Sequence, residues 1–89
     1  MSVVPAEIEI EVVLHALLRE LVEEAGPIRL GLPTGATPAS AFAAAAERHP
    51  ALAAHASTVA FARDDAVIRG DATLRDGDRL EVLPPVSGG

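Results

Sequence analysis

Residues Glu7-Ile8-Glu9-Ile10-Glu11-Val12 alternate without exception between a carboxylate and a β-branched apolar side chain. Successive side chains of a strand point to opposite faces, so this period of two commits the segment to a sheet with one dry face and one wet face. Ile8, Ile10, Val12 and Leu14 point inward, Glu7, Glu9 and Glu11 point to water, and Val13 and His15 continue the wet face without a carboxylate. A dry face needs a cover. The segment that can supply it begins at Thr37-Pro38, which reads as a helix N-cap followed by a first helical residue whose missing N–H costs nothing. That alanine-rich helix runs to Arg48, carries Phe42, Ala45 and Ala46 on its buried side, and is interrupted by His49-Pro50.

The remaining segments follow the same logic. Leu14, Leu17, Leu18, Leu21, Val22 and Ala25 are spaced for a second, shorter helix that Gly26-Pro27 ends. Ile28, Leu30 and Leu32 alternate with Arg29 and Gly31 in a strand closed by Pro33. Ala51 to Ala56 adds a short helical turn, and Thr58 to Ala62 and Ala66 to Ile68 form strands joined by the polar hairpin Arg63-Asp64-Asp65. Leu74 reads as a buried plug, Asp76-Gly77-Asp78 as a turn held by Asx-type hydrogen bonds, and Arg79 to Leu83 as the last strand. In that strand Leu80 and Val82 point inward and Leu83 outward, beside Val13 and His15 if the terminal strands are neighbours. The expected architecture is α+β, a mixed sheet of about five strands packed against one main helix. It forms a single domain over residues 1–89 with a mobile C-terminal tail, 84–89.

Composition narrows function chiefly by exclusion. The 89 residues suffice for one modest core, and 49% of them are apolar, which argues against disorder. The net charge is −6 and every basic residue is arginine, so the chain lacks the basic patch that nucleic acid or an anionic membrane requires. A basic protein surface is the compatible partner. Apolar runs are broken well short of a membrane span and no leader pattern opens the chain, which makes the cytoplasm the default location. No cysteine is present, which excludes disulfides, thiolate metal sites and thiol nucleophiles.

Few residues are left to carry chemistry. His15, His49 and His55 match no metal-binding spacing and read as surface histidines, while Asp64-Asp65 and Asp76-Gly77-Asp78 read as turn residues, so no metal is expected. Gly31-Leu32-Pro33-Thr34-Gly35 lacks the lysine and spacing of a phosphate loop, and no serine has a placed histidine. A self-sufficient enzyme is excluded on these grounds. Pro84-Pro85-Val86-Ser87-Gly88-Gly89 remains. Its prolines stiffen the base of a tail, and its two glycines put no side chain in the way of a narrow channel. Such an ending is either a frayed terminus or a carboxylate offered to a partner enzyme.

The stretch from Val59 to Gly89 resembles the small subunit of molybdopterin synthase, a ubiquitin-like β-grasp sulfur carrier. The resemblance is strongest at Leu74-Arg75-Asp76-Gly77-Asp78, the strand after it, and Pro84 to Gly89, and it extends to Leu18-Arg19-Glu20-Leu21. It implies that Gly89 is the reacting residue, adenylated by a ubiquitin-activating-type adenylyltransferase that uses ATP, converted to a thiocarboxylate by a sulfur donor enzyme, and inserted into the large synthase subunit. The chain itself would bind no cofactor. Gly88 and Ser87 would thread the partner's channel, Val86, Pro85, Pro84 and Leu83 would contact the partner, and Val13 and His15 would lie on the docking surface. Ordering four tail residues costs about 4 to 8 kcal/mol, which docking of the folded body must offset. Two positions depart from the family pattern: His15 stands where an aromatic residue is common, and Asp64 where asparagine is. Carriers for thiamine, cysteine or tRNA thiolation, protein modifiers joined through Gly89 to lysines, and a β-grasp interaction module with an unused tail are the alternatives.

Overall fold

The computed structural model describes residues 7–23 and 26–84. Five strands form one sheet in the order β2-β1-β5-β3-β4, with β1 Glu7–Leu14, β2 Ile28–Pro33, β3 Ala60–Arg63, β4 Ala66–Ile68 and β5 Arg79–Leu83. β1 runs parallel to β5, and the other neighbours are antiparallel. The sheet is therefore mixed, and the first and last strands lie together at its centre. Ile8, Ile10, Val12 and Leu14 of β1, Ile28, Leu30 and Leu32 of β2, Phe61 of β3, and Leu80 and Val82 of β5 are all buried on one face, as the alternation predicts.

The cover is helix α2, Pro38–Arg48. Its start is fixed by a reciprocal cap: the Ser40 N–H donates to Thr37 Oγ1 at 3.1 Å, and the Thr37 N–H donates to Ser40 Oγ at 2.8 Å. Ala41, Phe42 and Ala45 turn into the core, while Ala46 is only half-buried. The Phe42 ring meets Phe61 edge to face with centroids 6.4 Å apart, which ties the helix to the β3 side of the sheet. Alanine on the buried stripe lets the helix backbone approach the sheet closely, and the two phenylalanines supply the bulk. After His49 the chain continues in a 3₁₀ segment, Pro50–His55, that buries Leu52. β3 then begins at Ala60, two residues later than the Thr58 start expected from sequence.

Helix α1 departs further from the sequence reading. It is one turn, Leu17–Glu20, and not the helix that the spacing from Leu14 to Ala25 suggests. Pairing explains the difference. Val12 of β1 lies opposite Ile28 of β2, so the connection must return to its starting level. A helix across the whole interval would travel about 18 Å along its axis and carry the chain away from that partner. Leu14 stays in the sheet, and Leu18 alone of the helical turn enters the core, leaving Leu17 half exposed. Ala25 lies outside the described residues.

The irregular stretch before β5 is fastened at both ends. The Ala39 N–H donates to the Gly70 carbonyl at 3.0 Å and the Leu74 N–H to the Ala36 carbonyl at 2.8 Å, holding Leu74 in the core as the expected plug. The following turn uses Gly77 at a φ of 87°, a conformation that favours glycine. Asp76 acts at longer range than an Asx turn, while Asp78 combines a local bond with a distant one. Asp76 Oδ1 accepts the Glu9 N–H at 2.7 Å, and the Gly77 N–H donates to the Glu9 carbonyl at 2.7 Å, so the turn satisfies β1 where β5 has not yet begun. Asp78 Oδ2 accepts both the Arg75 N–H at 2.8 Å and Arg63 Nη1 at 3.0 Å. Arg63 also donates to the Thr73 carbonyl, so one ion pair joins β3 to the turn.

Candidate functional site

With α2 covering one face, the other face of the sheet is left open, and register determines what it displays. Val13 lies opposite Glu81, Glu81 opposite Ala62, and Ala62 opposite Val67. Side chains at directly paired positions share a face, so these four form a row across β1, β5, β3 and β4. The next row brings Leu83 beside Ala60. At its β1 end the ladder extends one residue beyond the strand, because the His15 N–H donates to the Val82 carbonyl at 3.1 Å. His15 therefore reaches the level of Leu83. Ala16, which follows, takes a φ of 52°, a strained conformation for a residue with a Cβ, and ends the strand there.

The structure thus brings Val13, His15 and Leu83 to one end of one face, as the sequence reading expects, with Pro84 next in the chain. Gly89, Gly88, Ser87, Val86 and Pro85 lie outside the described residues. Four residues of the face escape the sequence reading: Ala60, Ala62, Val67 and Glu81. Val67 is 77% exposed, high for a branched apolar side chain in a strand, whereas Ala62 is buried between its taller neighbours. Strand parity alone would have put Glu81 outward. Only the β1–β5 register shows its partner, His15.

That pair is the polar element of an otherwise apolar patch. His15 Nε2 lies 3.0 Å from Glu81 Oε1, with side-chain exposures of 39% and 30%. An ionised carboxylate only accepts, so Nε2 carries the proton in this contact. Towards β2 the same face changes character to Glu7, Glu9 and Glu11, where Arg29 approaches Glu11 at 3.7 Å. The open face is therefore apolar over β1's end, β3, β4 and the end of β5, acidic over β1's start, and charged at the start of β5, where exposed Arg79 lies opposite Glu11 and two residues before Glu81. Non-polar side chains that a monomer leaves on a sheet face, rimmed by charge, are a feature of protein-docking surfaces.

Among the described residues no cluster of three or more histidines and carboxylates is arranged to hold a metal ion. A pocket of about 390 Å³ lies on the helix side, walled by Ala39, Ala43, Ala46 and Ala53 over Phe42 and Phe61. Glu47 is the charged residue in its lining, and no base or nucleophile is paired there. His49 and His55 stand at the two ends of the 3₁₀ segment, far in sequence from His15. No described helix is long and apolar enough to cross a membrane.

Known proteins share this layout. SAMP1, a small archaeal modifier protein of Haloferax volcanii, superposes with a TM-score of 0.74 at 26% identity, covering 91% of this chain and 99% of that one. The Pyrococcus furiosus protein assigned as molybdopterin converting factor, subunit 1, gives 0.75 at 24% identity over 89% of this chain and 99% of its own. The ubiquitin of Caldiarchaeum subterraneum gives 0.59 at 17% identity over 93% and 99%. No curated protein gives a significant match. The model of the ThiS family matches residues 12–89, nearly the whole chain including the terminal Gly88-Gly89, and the chain belongs to that family of ubiquitin-like β-grasp proteins.

Proposed function

We propose that this protein carries sulfur on Gly89 and donates it in molybdopterin synthesis, as the small subunit of a two-subunit synthase. The observation that carries the reading is the ThiS-family match running through Gly88-Gly89. Chemistry supplies the rest. A carboxylate is inert to acyl transfer until its oxygen becomes part of a better leaving group. A ubiquitin-activating-type adenylyltransferase would provide that: a Gly89 carboxylate oxygen attacks the α-phosphorus of ATP, and pyrophosphate departs. Sulfide, HS⁻, delivered by a donor enzyme then attacks the acyl carbon, the C–O bond to AMP breaks and AMP leaves, and loss of the S–H proton gives the thiocarboxylate. No cysteine of this chain is needed, and it has none.

The folded body does the addressing. β5 ends at Leu83, level with His15, and Pro84 follows it, so residues 85–89 continue the chain from the apolar end of the open face. A partner seated on Val13, Leu83 and Val67 would receive Gly88 and Ser87 into its channel, with Val86, Pro85 and Pro84 contacting the entrance. The large synthase subunit and the adenylyltransferase would use this face in turn.

A second reading has its own observation, the 26% identity to a small archaeal modifier protein. A modifier would use the same adenylate but pass Gly89 to a lysine amine. One reconstitution separates the two: the chain is incubated with the adenylyltransferase, ATP and a sulfur donor, then with the large subunit and the molybdopterin precursor. Intact mass showing one sulfur in place of one oxygen, followed by molybdopterin formation that deletion of Gly89 abolishes, is the expected result. Isopeptide-linked adducts without product would establish the modifier instead.

A further inference from the structure

Glu81 is badly placed for a purely apolar interface. It occupies the middle of the row Val13, Glu81, Ala62, Val67, so any protein seated on that row covers it. His15 engages one carboxylate oxygen, Oε1, at 3.0 Å. Among the described residues the other oxygen, Oε2, has no hydrogen-bond donor, Arg79 on the same face forms no ion pair with it, and the side chain, 30% exposed, is open to solvent. Docking removes that solvent. A carboxylate left with a single hydrogen bond in a desolvated interface is strongly unfavourable, whereas a charge-assisted bond to a cation restores it.

From this we infer that the partner presents a basic side chain to Glu81, set among apolar residues that meet Val13, Leu83 and Val67, and that Glu81 determines which partner is accepted. The inference rests on reading the open face as the docking surface. His15 is the positioning residue: its Nε2–H pins Oε1 and leaves Oε2 to accept from an incoming donor. A second copy of this chain is the wrong occupant. A two-fold contact centred on the row would bring Glu81 against Glu81, and on each copy Glu7, Glu9, Glu11 and Glu81 outnumber the face's Arg29 and Arg79, on a chain of net charge −6. Like charges facing one another select against self-association and for a basic partner.

The test titrates the full chain against the purified large synthase subunit and, separately, the adenylyltransferase, by calorimetry at fixed salt. Glu81→Gln keeps the shape and one acceptor while removing the charge, and binding is expected to weaken at least tenfold. Glu47→Gln removes the same charge from the helix side and should change affinity less than twofold. Val67→Arg is expected to abolish binding to both proteins. Loss with Val67→Arg but equal or tighter binding by Glu81→Gln overturns the inference and leaves the docking face standing. Unchanged binding by Val67→Arg removes the docking reading, and the inference with it. Rescue supplies an independent check, because Glu81→Arg should recover binding against one partner variant in which a surface arginine or lysine is replaced by glutamate. Circular dichroism of each variant confirms the fold.

Discussion

The two faces of this sheet come from the same strands, yet different requirements set their residues. On the face under α2, Leu80, Val82, Val12 and Leu18 are fully or almost fully buried, and no buried side-chain polar atom there lacks a partner. On the open face Val67 is 77% exposed, Glu81 interrupts the apolar row, and Ala62 is small between larger neighbours. The covered face is composed as a core is: apolar, closely packed and explained by stability. The open face is composed as a surface that is dry only part of the time. Apart from Ala62, its apolar residues are only partly covered by folding, and a docked partner would cover the rest.

Substitutions should divide accordingly. The largest effect belongs to the covered face, at Phe42, which fills the space between the alanines of α2 and the Phe61 ring. Phe42→Ala should cost about 3 to 5 kcal/mol, because flanking alanines cannot close the cavity. Chemical denaturation should show a lowered midpoint with an unchanged slope. A cost below about 1 kcal/mol would mean that α2 is not the cover described here. Next comes the fastening between the faces. Asp78 accepts from Arg63 and from the Arg75 N–H, and both side chains of the ion pair are mostly buried, at 25% and 18% exposure. Asp78→Ala leaves a guanidinium and a backbone donor to find water, and should cost about 2 to 3 kcal/mol. Faster hydrogen exchange concentrated in residues 73–79 would locate the loss at the turn, whereas uniform change across the sheet would not.

How much of this was legible in the sequence depends on the range of the interaction. The buried residues of β1 and β2 follow from a period of two, and the start of α2 from Thr37-Pro38, whereas the reciprocal bond to Ser40 is visible only in the structure. The α1 region misleads because Leu14, Leu17, Leu18 and Leu21 fit a helical stripe. What ends the helix after one turn is a pairing, Val12 with Ile28, that no local pattern contains. Asp76 misleads in the same way. An aspartate before glycine looks like a local turn residue, but its carboxylate serves Glu9, 67 residues away in sequence. The candidate site was readable in its members Val13, His15 and Leu83, since strand parity alone puts them outward. Glu81 as the partner of His15, and Val67 as the far end of the row, needed the parallel β1–β5 and antiparallel β3–β4 registers.

The smallest effect on folding should fall on Leu83, and it bears most on the comparison of faces. Leu83 sits outward on β5, half-buried, opposite Ala60 and level with His15, immediately before Pro84. If its place is explained by the fold, Leu83→Ser should destabilise the protein as a core truncation does. If a partner explains it, stability should change by no more than about 0.5 kcal/mol, as expected of surface positions. Affinity for the large subunit should nonetheless fall about four- to tenfold, since burying the exposed half of a leucine side chain contributes about 0.8 to 1.5 kcal/mol and a tenfold loss corresponds to about 1.4 kcal/mol. Thermal denaturation and calorimetric titration of the one variant give both numbers. A stable variant with undiminished binding would mean that the apolar end of the open face is not where the partner docks, and that the Gly89 tail reaches its channel from another approach.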